Sequence, residues 1–272
     1  MGVVSAGERR GQYGVDAPPV ALMLGGFAVV YLLLAVILGP AFNSAVGWFF
    51  FALAAAMTVQ FVLYMHATRR GKFQVWGELL DGLGLRGDER LLDMGCGRGA
   101  VLLAAARRLP NGRAVGVDLW RSVDQSGNEQ AATERNAAAE GVADRIELRT
   151  GDMTELPFRD GEFDVVVSSL AIHNINSAEG RADAVREALR VLRPGGRLLI
   201  ADIRNLPKYR DTLAEAGALD IAVRSLGWRM WWGGPWMATK VVSATAPAVS
   251  AECKNGSEVA RNEVSGRPGP RT

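Results

Sequence analysis

Apolar positions along this chain follow two rules, and the change between them falls at about residue 70. Between Asp16 and His66 there is no Asp, Glu, Lys or Arg. The run divides at Gly39-Pro40 into two stretches, about 20–38 and 46–65, apolar on every face. At 1.5 Å of rise per residue each stretch reaches roughly the 30 Å of a bilayer core. A signal peptide has a shorter apolar segment and no second span directly behind it. A buried soluble hairpin would keep a polar face. The pattern therefore predicts a transmembrane helical hairpin over 17–66, after a segment 1–16. Gln60, inside the second span, can bond to the partner helix. His66 is read as an interfacial residue.

From Lys72 onward the period is that of a water-soluble domain. Phe73 to Leu80 is amphipathic at helical spacing. Apolar runs at Arg90–Met94, Arg113–Asp118, Arg145–Arg149, Phe163–Ser168 and Arg197–Asp202 read as strands. Helical patterns at about Ala100–Arg108, Asn128–Ala139 and Ala178–Leu192 separate them. Strands alternating with helices of this length predict a parallel sheet covered on both faces. Two closing strands, about Asp220–Met230 and Ala238–Ala246, are separated by a turn and expected to be antiparallel. A domain over 72–246 results, followed by a Gly- and Pro-rich polar tail, 247–272, expected to be disordered.

The stretch Asp93-Met-Gly95-Cys96-Gly97-Arg-Gly99 carries the first chemical information. An apolar strand runs into alternating glycines and directly into a helix. Glycine permits the positive φ of a sharp turn and lets a ligand approach the backbone, and a helix N-terminus favours anions. Two cofactors compete for such a loop. Gly95-x-Gly97-x-x-Ala100, with Asp118 some 20 residues on, fits a dinucleotide. Asp93-x-Gly95-x-Gly97-x-Gly99 instead suits an amino-acid moiety, its carboxylate on backbone N–H groups and its ammonium near Asp93.

Composition narrows the choice of chemistry. The formal net charge of +2 over 272 residues gives no global argument for nucleic acid. Two cysteines, Cys96 and Cys253, make neither a disulfide framework nor a metal site. With only His66 and His173, a metal would need a carboxylate cluster, and none is visible in the sequence. Arg9 and Arg10 before the first span, and Arg69, Arg70 and Lys72 after the second, flank an uncharged connection over 39–45. The positive-inside rule then predicts an integral protein of the cell membrane with both termini and the catalytic domain cytoplasmic.

Five segments in register resemble the class I S-adenosylmethionine-dependent methyltransferases, the broad group that includes ubiquinone- and menaquinone-biosynthesis enzymes. They are Leu92–Gly99, Val115–Trp120, Thr150–Phe158, Phe163–Ser169 and Leu192–Leu198. The resemblance covers 72–246 and does not extend to the hairpin. It implies a Rossmann-like seven-stranded α/β sheet and S-adenosyl-L-methionine as cofactor, leaving as S-adenosyl-L-homocysteine. It also implies cofactor contacts from Asp93, Gly95, Cys96, Gly97, Gly99, Asp118, Leu119, Trp120, Gly151, Asp152, Met153 and Ser168. Asp118 would accept from ribose hydroxyls, Leu119 or Trp120 would lie against the adenine, and Asp152 with the Met153 amide would read its edge. Asp164 reads as a structural cap or pair.

Methyl transfer asks the protein mainly to align the reacting groups and exclude water. Where the nucleophile must lose a proton, His173, just past the fourth strand, is the candidate base. Trp228, Trp231, Trp232 and Trp236 surround a Gly-Gly-Pro turn, a composition suited to a membrane interface, to a hydrophobic substrate mouth, or to packing on the hairpin. A membrane anchor and a methyltransferase domain together suggest a small lipophilic acceptor. The alternatives are the same catalysis on a soluble or protein acceptor, a non-catalytic cofactor-binding membrane protein, and an oxidoreductase.

Overall fold

The computed structural model describes residues 9–41, 44–121 and 127–248. The expected disordered tail, beyond its first two residues, and Cys253 lie outside them. Helices α1 (Pro18–Ala41) and α2 (Ser44–His66) form the predicted hairpin. Both are long and apolar enough to cross a membrane. Their outward residues stand open, Leu22 at 76 % and Trp48 at 70 % exposure. The helices approach each other through small residues. A side chain on Gly47 would meet the Gly39 Cα at 2.9 Å, the close contact that apolar helices use when burial from water cannot drive them together. Gln60 lies against Gly233 rather than bonding to α1.

The second helix does not end at the domain. One π-helical turn over Ala67–Gly71 carries it into α3 (Lys72–Gly82), so 44–82 is a single helical rod. The segment before α1 is also built into the domain as a strap. Gln12 N–H donates to Asn136 Oδ1 (2.8 Å), Asn136 Nδ2 donates back to Gln12 O (3.1 Å), and the Tyr13 hydroxyl donates to Glu140 (2.8 Å). Lys72, counted above with the flanking cations, is instead buried on Asp16, its Nζ 2.7 Å from Oδ2.

Strands β1 (Arg90–Met94), β2 (Arg113–Asp118), β3 (Ile146–Thr150), β4 (Phe163–Ser169), β5 (Leu192–Asp202), β6 (Leu219–Ser225) and β7 (Lys240–Thr245) make one sheet. Its order is β3-β2-β1-β4-β5-β7-β6. The pairs from β3 through β5 are parallel, and β7 runs antiparallel to both neighbours. Strand alternation divides the core. Leu91, Val165, Val167 and Ala201 pack towards α3 and α4 (Ala100–Ala106). Leu92, Val166, Leu198 and Ile200 pack towards α6 (Ala178–Arg190) and α7 (Leu206–Glu215). Helix α5 (Gln130–Glu140) joins the first cluster through Ala137.

Several expectations need correction. Helix α7 was not foreseen, although Leu206, Tyr209 and Leu213 have helical spacing and Pro207 stands in its first turn. Strand β5 starts at Leu192 rather than Arg197, because Phe163 pairs with Leu192 before the register slips across Pro194-Gly195-Gly196. Strand β6 ends at Ser225. The connection to β7 is a closed loop with two short 3₁₀ turns, longer than the expected turn. Asp164 is structural as expected, accepting from Arg90 N–H (2.6 Å) and pairing with Arg193.

Helix α3 sets where the hairpin sits. At its start, Trp76 Nε1 donates to Ser169 Oγ (2.8 Å) at the carboxyl end of β4, and just past its end Leu83 O accepts from Arg197 on the entering part of β5. The hairpin therefore rises from the carboxyl edge of the sheet, where open α/β sheets bind ligands.

Candidate active site

The turn after β1 has the backbone its glycines allow. Gly95, Gly97 and Gly99 have φ of 75°, 49° and 85°, all left-handed and strained for any side chain. A Cβ on Gly95 would also run into Ala171. The loop's amides are largely committed. Gly95 and Cys96 N–H donate to Val117 O, Gly99 N–H to Cys96 O, and Gly97 N–H to Asp118 Oδ2 (2.8 Å). These four are thus not the carboxylate cradle the sequence suggested.

A cavity of about 630 Å³ opens beside this loop. Of the expected residues it gathers Asp93, Gly95, Cys96, Gly97, Asp118, Leu119, Asp152, Met153 and His173 in its wall. Asp93 is 1 % exposed, and neither carboxylate oxygen has a partner among the described residues. Burial, reinforced by the charge of Asp118 and only partly offset by the Leu102 N–H, pushes its pKa up to about 8. A buried carboxylate without a donor is costly by itself and suits an incoming cation. Burial likewise pushes the Cys96 thiol up. Asp118 is aimed by its own turn, accepting from Trp120 N–H (2.7 Å) and Asn128 Nδ2 (3.3 Å) as well as from Gly97. Asp152 Oδ1 accepts from the Thr154 amide and hydroxyl (2.9 and 2.8 Å).

Four expected contacts do not line the cavity. Trp120 takes a left-handed φ of 58° and its indole donates to Thr150 Oγ1 (2.9 Å), leaving Leu119 at the wall. Ser168 faces into the sheet and donates to Met94 O (2.9 Å), so its neighbour Ser169 lines the cavity. Gly99 starts α4, where a Cβ would meet Thr133 at 3.0 Å, and Gly151 packs behind the wall on Val117.

The sequence reading missed Asp202. It ends β5 with no exposure, and its Oδ1 is 2.6 Å from His173 Nδ1. Ile203 N–H (2.7 Å), His173 N–H and the Tyr209 hydroxyl (both 3.1 Å) hold that carboxylate in place. Burial, then the charge of Asp202, pushes the Tyr209 hydroxyl up, so it remains a donor. The His173 ring thus lies against that carboxylate and keeps 19 % exposure.

The opposite wall was not anticipated. Asp16, Ala17 and Val20 from the strap and the start of α1, Tyr64 from the end of α2, and Lys72 line the same cavity, with Trp232 and Met237 from the β6–β7 connection. That connection is clamped to the rod. Arg229 pairs with Glu78 through both guanidinium nitrogens (2.6 and 2.7 Å), Trp232 meets Tyr64 edge-on at 5.4 Å, and Trp228 stacks on His66 at 4.8 Å. Trp228 and Trp236 remain 55 % and 68 % exposed. Trp232 thus packs on the hairpin, Trp228 stacks on it while staying exposed, and Trp236 faces outward.

Residues 92–200 match the family model described as a methyltransferase domain. The ubiquinone/menaquinone biosynthesis C-methyltransferase of Dinoroseobacter shibae is 37 % identical over 138 residues, 50 % of this chain and 52 % of that protein. The 27-O-demethylrifamycin SV methyltransferase of Amycolatopsis mediterranei is 34 % identical over 136 residues, 49 % of this chain and 46 % of that one. The chain thus spans about half the length of the curated relatives it matches. A geranyl diphosphate methyltransferase structure with bound cofactor shares the fold, with a TM-score of 0.52 at 18 % identity over 64 % of this chain and 85 % of that one. Over residues 92–200 the chain is thus similar to methyltransferase domains, and its motif and sheet order agree with that likeness.

Proposed function

We propose that this protein is a membrane-anchored methyltransferase that acts, from the cytoplasmic side, on a small lipophilic acceptor. The observation that carries this reading is one cavity with two walls. One wall bears an unpartnered buried carboxylate and a glycine turn, and the other is made by the base of an apolar hairpin. The residues present fit the cofactor. Asp93, buried with no hydrogen bond to its carboxylate among the described residues beyond the influence of the Leu102 amide, matches an ammonium, while Asp118 and Asp152 offer acceptors for ribose hydroxyls and an adenine amino group. Leu119 and Met153 give the flat ring an apolar bed, with Gly95 and Gly97 keeping the wall free of side chains.

When bound, S-adenosylmethionine supplies a methyl group on a cationic sulfur. The chain's own part is to hold both partners and to take a proton. His173 Nε2 accepts the proton of the acceptor's nucleophile, and Asp202 fixes the ring and stabilises the imidazolium that results. A histidine set against a carboxylate on the cavity wall supports the catalytic reading over the non-catalytic alternative. Orientation follows the exposed cations Arg9, Arg10, Arg69 and Arg70 on one side of the hairpin.

The test is to incubate the full-length protein in vesicles with a methyl-labelled cofactor and a lipid extract. A labelled lipid-soluble product is expected. Label appearing only in water-soluble or protein fractions would move the function to the alternative in which the hairpin serves for location alone.

A further inference from the structure

The hairpin's contribution to the cavity goes further than attachment. Two of the lining residues, Val20 and Tyr64, belong to the spanning helices themselves, in the first turns of α1 and the last turn of α2. Beyond them the hairpin is apolar and outward-facing, with Leu22, Val29 and Leu33 all more than half exposed. Trp232 and Met237 complete the same end of the cavity, on the connection whose Trp228 and Trp236 face out where aromatic residues settle in bilayers. That connection reaches up α2 as far as Gln60, inside the apolar span. An apolar end of the cavity therefore adjoins the depth at which lipid begins. The polar end lies towards His173 and the glycine turn. Beside Tyr64, whose hydroxyl donates to Asp16 O (2.6 Å), the strap is locked by a part-buried ion pair, Lys72 Nζ bonding to both Asp16 oxygens (3.0 and 2.7 Å).

We infer that the hairpin base and the tryptophan connection form the acceptor subsite. The ligand it fits is a bilayer-resident amphiphile with a weakly acidic hydroxyl-bearing head beside His173. Its apolar tail runs out past Val20, Tyr64, Trp232 and Met237 into the membrane. This deepens the function proposed above and rests on it. It makes the anchor half of the active site: removing the hairpin opens the cavity and takes away the tail's path. The subsite selects by tail as well as by head, because a water-soluble head alone leaves the apolar end unfilled.

The experiment uses the full-length protein in phosphatidylcholine vesicles, with a long-chain alkylphenol bearing a diazirine near the end of its tail as probe. After illumination, cross-linked residues are mapped by mass spectrometry. Label is expected on Val20, Tyr64, Trp232 or Met237. Val20→Trp and Met237→Trp, which fill that end, should each cut this label about tenfold, since a packed interior leaves no room for a tail. Leu33→Trp, on the outer face of α1, should leave it unchanged. Label confined to the hairpin's outer face, or equal label in the filled variants, overturns the inference. Should either filled variant misfold, the map of the unsubstituted protein decides alone. Cross-linking does not require the cofactor, so its outcome is separate from that of S-adenosylhomocysteine binding measured on the same vesicles. Absence of that binding would strike the methyltransferase reading instead.

Discussion

The two walls of the cavity are built in opposite ways. The glycine wall comes from short consecutive pieces: the end of β1 with its turn, the end of β2, and the turns after β3 and β4. Each piece carries a backbone demand, a positive φ or a carboxylate at a strand end, that few residue types meet. The hairpin wall comes from places far apart in the chain, Asp16 to Val20, Tyr64, Lys72, Trp232 and Met237. Trp232 stands in a tryptophan-rich turn, but the others are ordinary where they stand, and only the packing of the rod on the sheet edge brings them all together. A wall made by local geometry leaves its mark in the sequence, and one made by juxtaposition does not. Variants on the first wall should accordingly change cofactor affinity, and variants on the second should change stability and acceptor use.

The largest effect is expected where the walls meet. His173→Gln should lower kcat about 10²–10⁴-fold, the usual range for loss of a general base, while S-adenosylhomocysteine affinity stays as it was. Asp202→Asn should follow in the same direction. A loss of cofactor affinity equal to the loss of rate would place the histidine in the glycine wall and break the comparison.

Next comes the strap. Asp16→Ala leaves Lys72 charged and buried and removes the acceptor of the Thr68 hydroxyl. The cost should be about 2–3 kcal/mol, below the full range for breaking a buried pair because Asp16 keeps 22 % exposure. Thermal unfolding in detergent reads it. An unchanged midpoint would mean that the strap is dispensable, and a chain shortened to begin at Lys72 would then fold without the hairpin.

What the sequence made legible follows the same division. The bounds of β1 and β2, the three loop glycines, and the placement of Asp93, Asp118, Asp152 and His173 all came from local pattern. Trp120 and Ser168 were misplaced for local reasons that a motif cannot display. A left-handed turn swings one away from the cavity, and strand alternation points the other into the sheet. Asp202 ends a predicted strand at the ligand-binding edge, so its position was legible although its partnership with His173 was not. The hairpin itself could be read from its lack of charge. Its place in the active site could not, because nothing in a Val or a Tyr says which neighbour it will have.

On the glycine wall, Asp118→Ala should weaken S-adenosylhomocysteine binding by about 1–3 kcal/mol, the cost of leaving hydroxyls without an acceptor. The substitution also frees the Gly97 and Trp120 amides that the carboxylate holds. Stability should fall modestly, and the probe's cross-linking pattern should stay as it is. Altered cross-linking at Val20 or Met237 would show the walls to be coupled.

The smallest signal comes from a single proton on Asp93. Its pKa lies at about 8 in the folded protein against an ordinary 3.8, raised first by burial and then by Asp118. Between these values the folded chain binds a proton that the unfolded chain does not. Stability without ligand should therefore fall as pH rises from about 4 to about 8 through this group, opposite to an ordinary ion-paired carboxylate. At pH 7 the group is mostly protonated, and a ligand ammonium favours its charged form. Binding should then release most of one proton. Calorimetry with S-adenosylhomocysteine in phosphate and in Tris reads this as a binding enthalpy that differs with the buffer's ionisation enthalpy. As pH rises past about 8 the release should shrink and give way to uptake, since Asp93 has already lost its proton and the ligand's own amino group must gain one. Asp93→Asn should abolish the release at pH 7 while keeping the shape of the wall. The same enthalpy in both buffers for the unsubstituted protein would mean that the ammonium lies elsewhere, and the glycine wall would have been read correctly in shape but not in charge.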